Sequence, residues 1–262
     1  MTTLSLIAAS GAAVLVLAVI ALNERVHLFS QDNFPTRAHK LGAYGLLIGF
    51  AVLVAALVAE SSQAPADAAK LQSLPFWSVF SLHAILLCFL GAWWLFAGRP
   101  QLGTFFNIRR KGLVEDSMTG FAMGVGGWII TIMVAITIGL LLQKFGQIDS
   151  DMKPPDAIPW MAALPVHKKI LIVFSAMTVE ELFFRGWLQK RVGLLASTVA
   201  FVIAHAGFGQ PLMFIGISVV SILIGLTFYR TKSLLPCIIA HGVFDAIQLF
   251  VIIPVAVQFM PK

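Results

Sequence analysis

The chain has 262 residues, of which 59% are hydrophobic and only 11% charged. Soluble globular chains run at about 45–50% apolar and about 25% charged, so this composition excludes a water-soluble globule and points to an integral membrane protein. The net charge of +6 fits basic loops held at an anionic membrane face and gives no reason to expect nucleic-acid binding.

Eight apolar runs follow one another, at about 4–22, 41–59, 76–97, 121–142, 169–188, 193–207, 212–229 and 234–257. Most approach the ~20 residues needed to cross ~30 Å of hydrocarbon. Lipid cannot satisfy a bare backbone, so the runs should be helices. The expected fold is all-α, a polytopic membrane helix bundle of about eight transmembrane helices. The first run has no basic residue before Arg25 and reads as a retained helix, although the small residues at 8–13 imitate a signal-cleavage region. The sixth run is the shortest and reads as tilted or partly buried in protein. Cys88 and Cys237 sit in separate apolar runs with no CxxC pair, so neither a disulfide framework nor a cysteine metal site is expected.

Basic residues give a topology. With the N-terminus outside, the internal loops hold Arg25, Arg37, Lys40, Arg99, Arg109, Arg110, Lys111, Lys190, Arg191, Arg230 and Lys232. The opposite side holds Lys70, Lys144, Lys153, Lys168, Lys169 and Lys262. This bias places both termini outside. Arg109, Arg110 and Lys111 read as topology anchors or a patch that meets headgroups. The connector 143–168 contains Pro154, Pro155, Pro159 and Pro165 with Asp149, Asp151 and Asp156, which disfavours a long regular helix. It reads as an exposed connector, with a lid or substrate-entry element as the sharper alternative. Under this topology His205 falls near the outer end of its run and His241 near the inner end of its own. Two parallel helices cannot then hold them level unless a boundary moves or a helix is broken.

The fifth run carries Glu180, Glu181 and Arg185. Each such residue near a bilayer centre costs roughly 2.5–3.5 kcal/mol on insertion scales, so three together call for a protein-lined or wet cavity. Glu181 and Arg185 stand four apart on one helical face, in the favourable order for an ion pair. Glu180 lies about 100° around the helix from Glu181 and is the freer carboxylate. Further partners follow in other runs: Phe201 with His205, then His241 with Asp245, each pair at i and i+4. Gly242 beside His241 permits close approach of another helix or of a substrate backbone. A lone intramembrane histidine is more often a hydrogen-bonded core residue, and His83 in the third run is read that way.

These three stretches together resemble the CAAX protease and bacteriocin-processing family of intramembrane proteases, which includes the Rce1-type prenyl proteases. The shared pattern is a double glutamate with a following arginine, a phenylalanine shortly before a histidine, and a histidine shortly before asparagine or aspartate. Here those are Glu180, Glu181 and Arg185, then Phe201 and His205, then His241 and Asp245. The resemblance covers about residues 165–255, within a C-terminal bundle at 121–262. Residues 1–120, the N-terminal helices and basic loop, carry no matching motif.

The resemblance implies an endopeptidase acting on a membrane-associated protein or peptide, in the inner or plasma membrane of a prokaryote. It implies that Glu180 and His205 activate water, that Glu181 and Arg185 form a supporting ion pair, and that His241 and Asp245 stabilise the oxyanion. Asp245 stands where many relatives carry asparagine. It either stays protonated, or stays ionised and favours an imidazolium at His241. No cofactor is expected. A metalloprotease variant with Glu180, Glu181, His205 and His241 as ligands would be separated by chelator sensitivity. Other classes remain on the residues alone: a non-enzymatic peptide-binding or bacteriocin-immunity membrane protein, and a proton-coupled transporter, since intramembrane Glu, His and Asp also suit a proton relay.

Overall fold

The computed structural model describes residues 2–63, 68–109, 112–147 and 155–259. Arg110, Lys111, Lys262 and the part of the long connector at 148–154 lie outside the described residues. Every described element is a helix. The main ones are α1 (Thr3–Val26), α2 (Arg37–Gln63), α3 (Ser81–Phe96, led in by a 3-10 turn, Phe76–Phe80) and α4 (Leu113–Lys144). α5 begins at Val166–Ser175 and continues as π-helical turns over Ala176–Glu180 and Leu182–Gln189. α6 (Lys190–Ala204), α7 (Pro211–Thr231) and α8 (Leu235–Ile247) follow, and α8 runs on through Gln248–Ile252 and Ile253–Gln258.

Among the described residues, six helices are long and apolar enough to cross a membrane, namely Thr3–Asn23, Arg37–Gln63, Phe76–Phe96, Leu113–Lys144, Leu212–Thr231 and Leu235–Gln258. The protein is a multi-pass helical membrane protein, and the count of eight is not confirmed by length and apolarity among the described residues. The fifth and sixth runs do fold as helices. The fifth carries three intramembrane charges, and the sixth ends at Ala204, so both depend on protein surroundings. Large apolar side chains such as Ile7, Leu15, Phe121 and Met133 are exposed, as a lipid-facing surface requires.

Two packing devices set the frame. α4 lies against α8 through Gly120 and Gly124. A Cβ at Gly120 would come within 2.7 Å of Ile239 Cβ, and one at Gly124 within 2.6 Å of Val243 Cβ. This is small-residue packing of the kind that brings membrane helices together. Elsewhere an aromatic core joins α3 to α5: Phe89 and Trp93 meet Trp187 with ring centroids 4.8 and 5.0 Å apart, and Phe183 lies 5.8 Å from Phe89. Such pairs contribute about 0.5–1.5 kcal/mol each beyond burial. They fix α3, which precedes every recognised motif, against the helix that carries the glutamates.

Loops rich in basic residues gather at one end of the bundle. Asp32, after α1, forms a buried ion pair with Arg191, whose guanidinium lies over Trp187 at 4.6 Å. Gln31 donates to Lys190 O at 3.1 Å, Lys190 to Phe105 O at 2.9 Å, and Asn107 to Lys232 O at 3.4 Å. These are the loops that the charge bias assigns to one side. Thr2 and Gln63 meet at the other end, 2.7 Å apart, and the last turn, Ile253–Gln258, packs there against a short helix in the connector, Ala157–Ala163. The connector thus holds only a single short helix among its described residues.

Candidate active site

α5 brings the acid pair into the interior. Glu181 and Arg185 form the expected pair, 2.9 Å apart at Oε1 and Nη1, with side chains 0% and 1% exposed. Arg185 also donates through Nη2 to Ser221 O at 3.1 Å and Ser221 Oγ at 3.0 Å, on α7. The face of the guanidinium lies 4.8 Å from the Phe201 ring centroid. A buried charge needs this full set of partners, since an unpaired one costs several kcal/mol.

Phe201 sits between the two motif histidines. Its ring centroid is 4.6 Å from that of His205 and 6.1 Å from that of His241. The helical path is broken near the start of α6. Gly193 adopts φ 81° and ψ 177°, which only glycine occupies readily. α6 therefore turns back on α5, and Ser197 Oγ donates to Phe184 O at 2.8 Å. α6 ends at His205, its C-cap residue.

His241 and Asp245 stand one turn apart on α8, with Nε2 and Oδ2 3.4 Å from each other. His241 Nδ1 also meets Glu181 Oε1 at 2.7 Å, a link between the first and last motifs that spacing does not reveal. Both ring nitrogens thus face carboxylate oxygens, which only accept. At Gly242 α8 lies close to α5, and a Cβ there would require the flexible Met177 thioether to shift.

Glu180 points to a different set. Its Oε2 lies 4.0 Å from His205 Nε2 and is buried without a hydrogen-bond partner among the described residues. His205 Nδ1 lies 2.8 Å from Phe201 O. A carbonyl only accepts, so Nδ1 carries the hydrogen, and in a neutral ring Nε2 is then the basic nitrogen turned to Glu180. The other glutamate oxygen, Oε1, accepts from His83 Nε2 at 3.1 Å, and His83 Nδ1 lies 2.7 Å from Ser175 Oγ. His83 is a hydrogen-bonded interior residue, as expected, and one of its two partners is Glu180. Glu180 is correspondingly less free than its position suggested.

Exposure separates the two halves. The side chains of His205 and Asp245 are 23% and 26% exposed and that of Glu180 13%, whereas Glu181 and Arg185 are sealed. Among the described residues no group of three or more His, Cys, Asp and Glu side chains is arranged to hold a metal ion. Glu180 faces His205, and Glu181 bonds His241.

Fold and site together define a polytopic helical membrane protein with a carboxylate–histidine centre in its interior. Residues 162–247 match the family described as Rce1-like, type II CAAX prenyl endopeptidase. That segment contains all seven motif residues, and over it the resemblance to the CAAX protease and bacteriocin-processing family holds. An uncharacterized protein of Bacillus subtilis (strain 168), YpbD, is 34% identical over 79 residues, which cover 30% of this chain and 40% of that protein. The chain thus matches well under half the length of this curated relative. No solved structure matches the chain closely enough to compare.

Proposed function

We propose that the chain is an intramembrane endopeptidase that hydrolyses a peptide bond of a membrane-associated protein or peptide, in the inner or plasma membrane of a prokaryote. The observation that carries this reading is the facing pair of Glu180 Oε2 and His205 Nε2. At 4.0 Å they stand too far apart for a direct hydrogen bond, at the separation of two acceptors that share one water. Glu180 takes a proton from that water, and the resulting hydroxide adds to the scissile carbonyl carbon. The tetrahedral oxyanion receives a hydrogen bond from Nε2–H of His241, whose ring is held doubly protonated between Glu181 and Asp245. Collapse breaks the C–N bond, and the proton passes from Glu180 to the leaving amine. Glu181 and Arg185 hold the ring and the helix in place. The chemistry calls for no metal or other cofactor.

The test is cleavage of a quenched-peptide library by the purified full chain in lipid nanodiscs, beside Glu180→Gln, with and without chelator. Chelator-resistant cleavage that Glu180→Gln abolishes is the expected result. Cleavage that a chelator removes and added metal restores would move the assignment to a metalloprotease. A folded wild type that binds peptides without cutting any would move it to a peptide-binding or immunity protein.

A further inference from the structure

His83 belongs to α3, outside the segment that carries the family likeness, yet it makes the closest contact to Glu180 of any residue in the site. From the line Ser175 Oγ–His83 Nδ1 (2.7 Å), His83 Nε2–Glu180 Oε1 (3.1 Å) and Glu180 Oε2–His205 Nε2 (4.0 Å), we infer that His83 is a positioning residue for Glu180, a role resting on the proteolytic reading above.

The hydrogens follow from the acceptors. An ionised carboxylate oxygen cannot donate, so His83 carries its hydrogen on Nε2 and gives it to Oε1. Nδ1 is then the acceptor and receives the Ser175 hydroxyl hydrogen. The outcome is a carboxylate with one oxygen tied down and the other aimed at His205. Without the tie, rotation about the terminal torsion of Glu180 is broad, and either oxygen, or neither, faces the water.

Backbone geometry serves the same end. Ser175 and Glu180 are five residues apart, and the turn between them, Ala176–Glu180, is π-helical. An α-helix would place them about 140° apart at 3.6 residues per turn. A π turn closes i to i+5 and lets one imidazole reach both, and such turns recur at functional sites. α3 cannot drift away, because Phe89 and Trp93 are packed against Trp187 further along the same two helices. The N-terminal half of the chain thus completes the site instead of only framing it.

The experiment compares His83→Gln, His83→Phe and Ser175→Ala in the full chain, with kcat and KM read on a quenched peptide that the wild type cleaves. Glutamine keeps an N–H donor, whereas phenylalanine keeps the ring volume without one. His83→Phe should lower kcat by about 100-fold with KM little changed, as a misplaced reacting group does. His83→Gln should recover at least about a tenth of wild-type kcat on the same reasoning, and Ser175→Ala should lose less than His83→Phe. Wild-type kcat in His83→Phe would overturn the role. So would equal loss in Gln and Phe, which would make the ring itself an acid–base group. Complete loss in Ser175→Ala with labelling of Ser175 by a fluorophosphonate would make the serine the nucleophile, and would overturn it too.

A second measurement needs no proteolysis. In the 15N spectrum of histidine-labelled protein, His83 should show the Nε2–H tautomer, and its Nε2 resonance should move in Glu180→Gln. A His83 signal indifferent to Glu180→Gln would overturn the contact, whatever becomes of the protease reading.

Discussion

Glu181 Oε1 lies 2.7 Å from His241 Nδ1, so the acid pair on α5 is joined directly to the histidine on α8. The same oxygen accepts from Arg185 at 2.9 Å, and neither Glu181 nor Arg185 meets solvent. Glu181→Ala leaves Arg185 buried without its carboxylate, with Ser221 as its hydrogen-bond partner and the Phe201 ring beside it, and strips His241 of one acceptor. Breaking a buried pair from one side costs about 3–5 kcal/mol. The expected outcome is a large fall in the apparent Tm of the detergent-solubilised protein, or failure to accumulate in the membrane. An unchanged Tm would refute a structural role for Glu181.

The neighbouring glutamate should behave in the opposite way. Among the described residues Glu180 pairs with no lysine or arginine, and its partners are histidines and, on the proposed mechanism, a water. Glu180→Gln keeps the shape and can still accept from His83 through the amide oxygen. Stability should stay close to wild type while peptide cleavage falls by about 10²–10⁴-fold, the range lost with a general base. Thermal unfolding and cleavage measured on the same preparation check both halves. An active Glu180→Gln would remove Glu180 from the chemistry.

The contrast shows what the residues alone reveal. Contacts at i and i+4 are legible because residues four apart stay near one face, through the π turns of α5 as well as along α6 and α8, and so Glu181 with Arg185, Phe201 with His205, and His241 with Asp245 all meet as expected. The apolar runs likewise disclose a helical membrane bundle, though charge and length cannot tell a spanning helix from one sheltered by protein. His83 stayed hidden, since its partner is far away in sequence and a lone histidine in an apolar run has no pattern. Ser175 stayed hidden because α-helical spacing puts it on another face from Glu180, and only the π turn unites them. The Glu181–His241 bond joins two motifs that spacing treats as separate.

Asp245 tests how the oxyanion is held. Its carboxylate lies 3.4 Å from His241 Nε2 and its side chain is 26% exposed. Asparagine at this position still offers an acceptor oxygen and adds an N–H donor of its own. Asp245→Asn should therefore retain substantial activity, within about tenfold of wild type, since one neutral hydrogen bond replaces a charged one at a cost of about 1 kcal/mol. Asp245→Ala should lose far more. Complete loss in a folded Asp245→Asn protein would show that the carboxylate itself is required.

Lys190, at the end of the bundle where the basic loops gather, gives a pH signature. Burial, and then the neighbouring Arg191, pull its ammonium from 10.5 down to about 8, with Asp32 opposing. The folded state thus holds the proton less tightly than the unfolded chain. Below about pH 8 both states are charged and the full burial penalty is present. Between about 8 and 10.5 the unfolded chain binds more protons, so this group makes stability rise with pH. Lys190→Gln should flatten that part of the apparent Tm curve. An identical curve in wild type and variant over this window would exclude the linkage.

The break at Gly193 is open to the same kind of test, away from every reacting group. With φ at 81° and ψ at 177° the residue occupies a region essentially closed to side chains, which costs about 1–3 kcal/mol when any other residue is forced there. A Cβ at this position would meet nothing within 4 Å, so the penalty for alanine is conformational and not steric crowding. If the break sets where α6 ends, Gly193→Ala should tend to straighten the α5–α6 junction and draw His205 away from Glu180. Cleavage should then fall while the Glu181–Arg185–His241 cluster, held by α5, α7 and α8, stays intact. A double-electron resonance distance between spin labels on exposed Leu195 and Leu171 reads the junction directly, and kcat on the same protein reads the consequence. Gly193→Ala with an unchanged distance and unchanged kcat would show that the turn is held by its surroundings and not by the glycine.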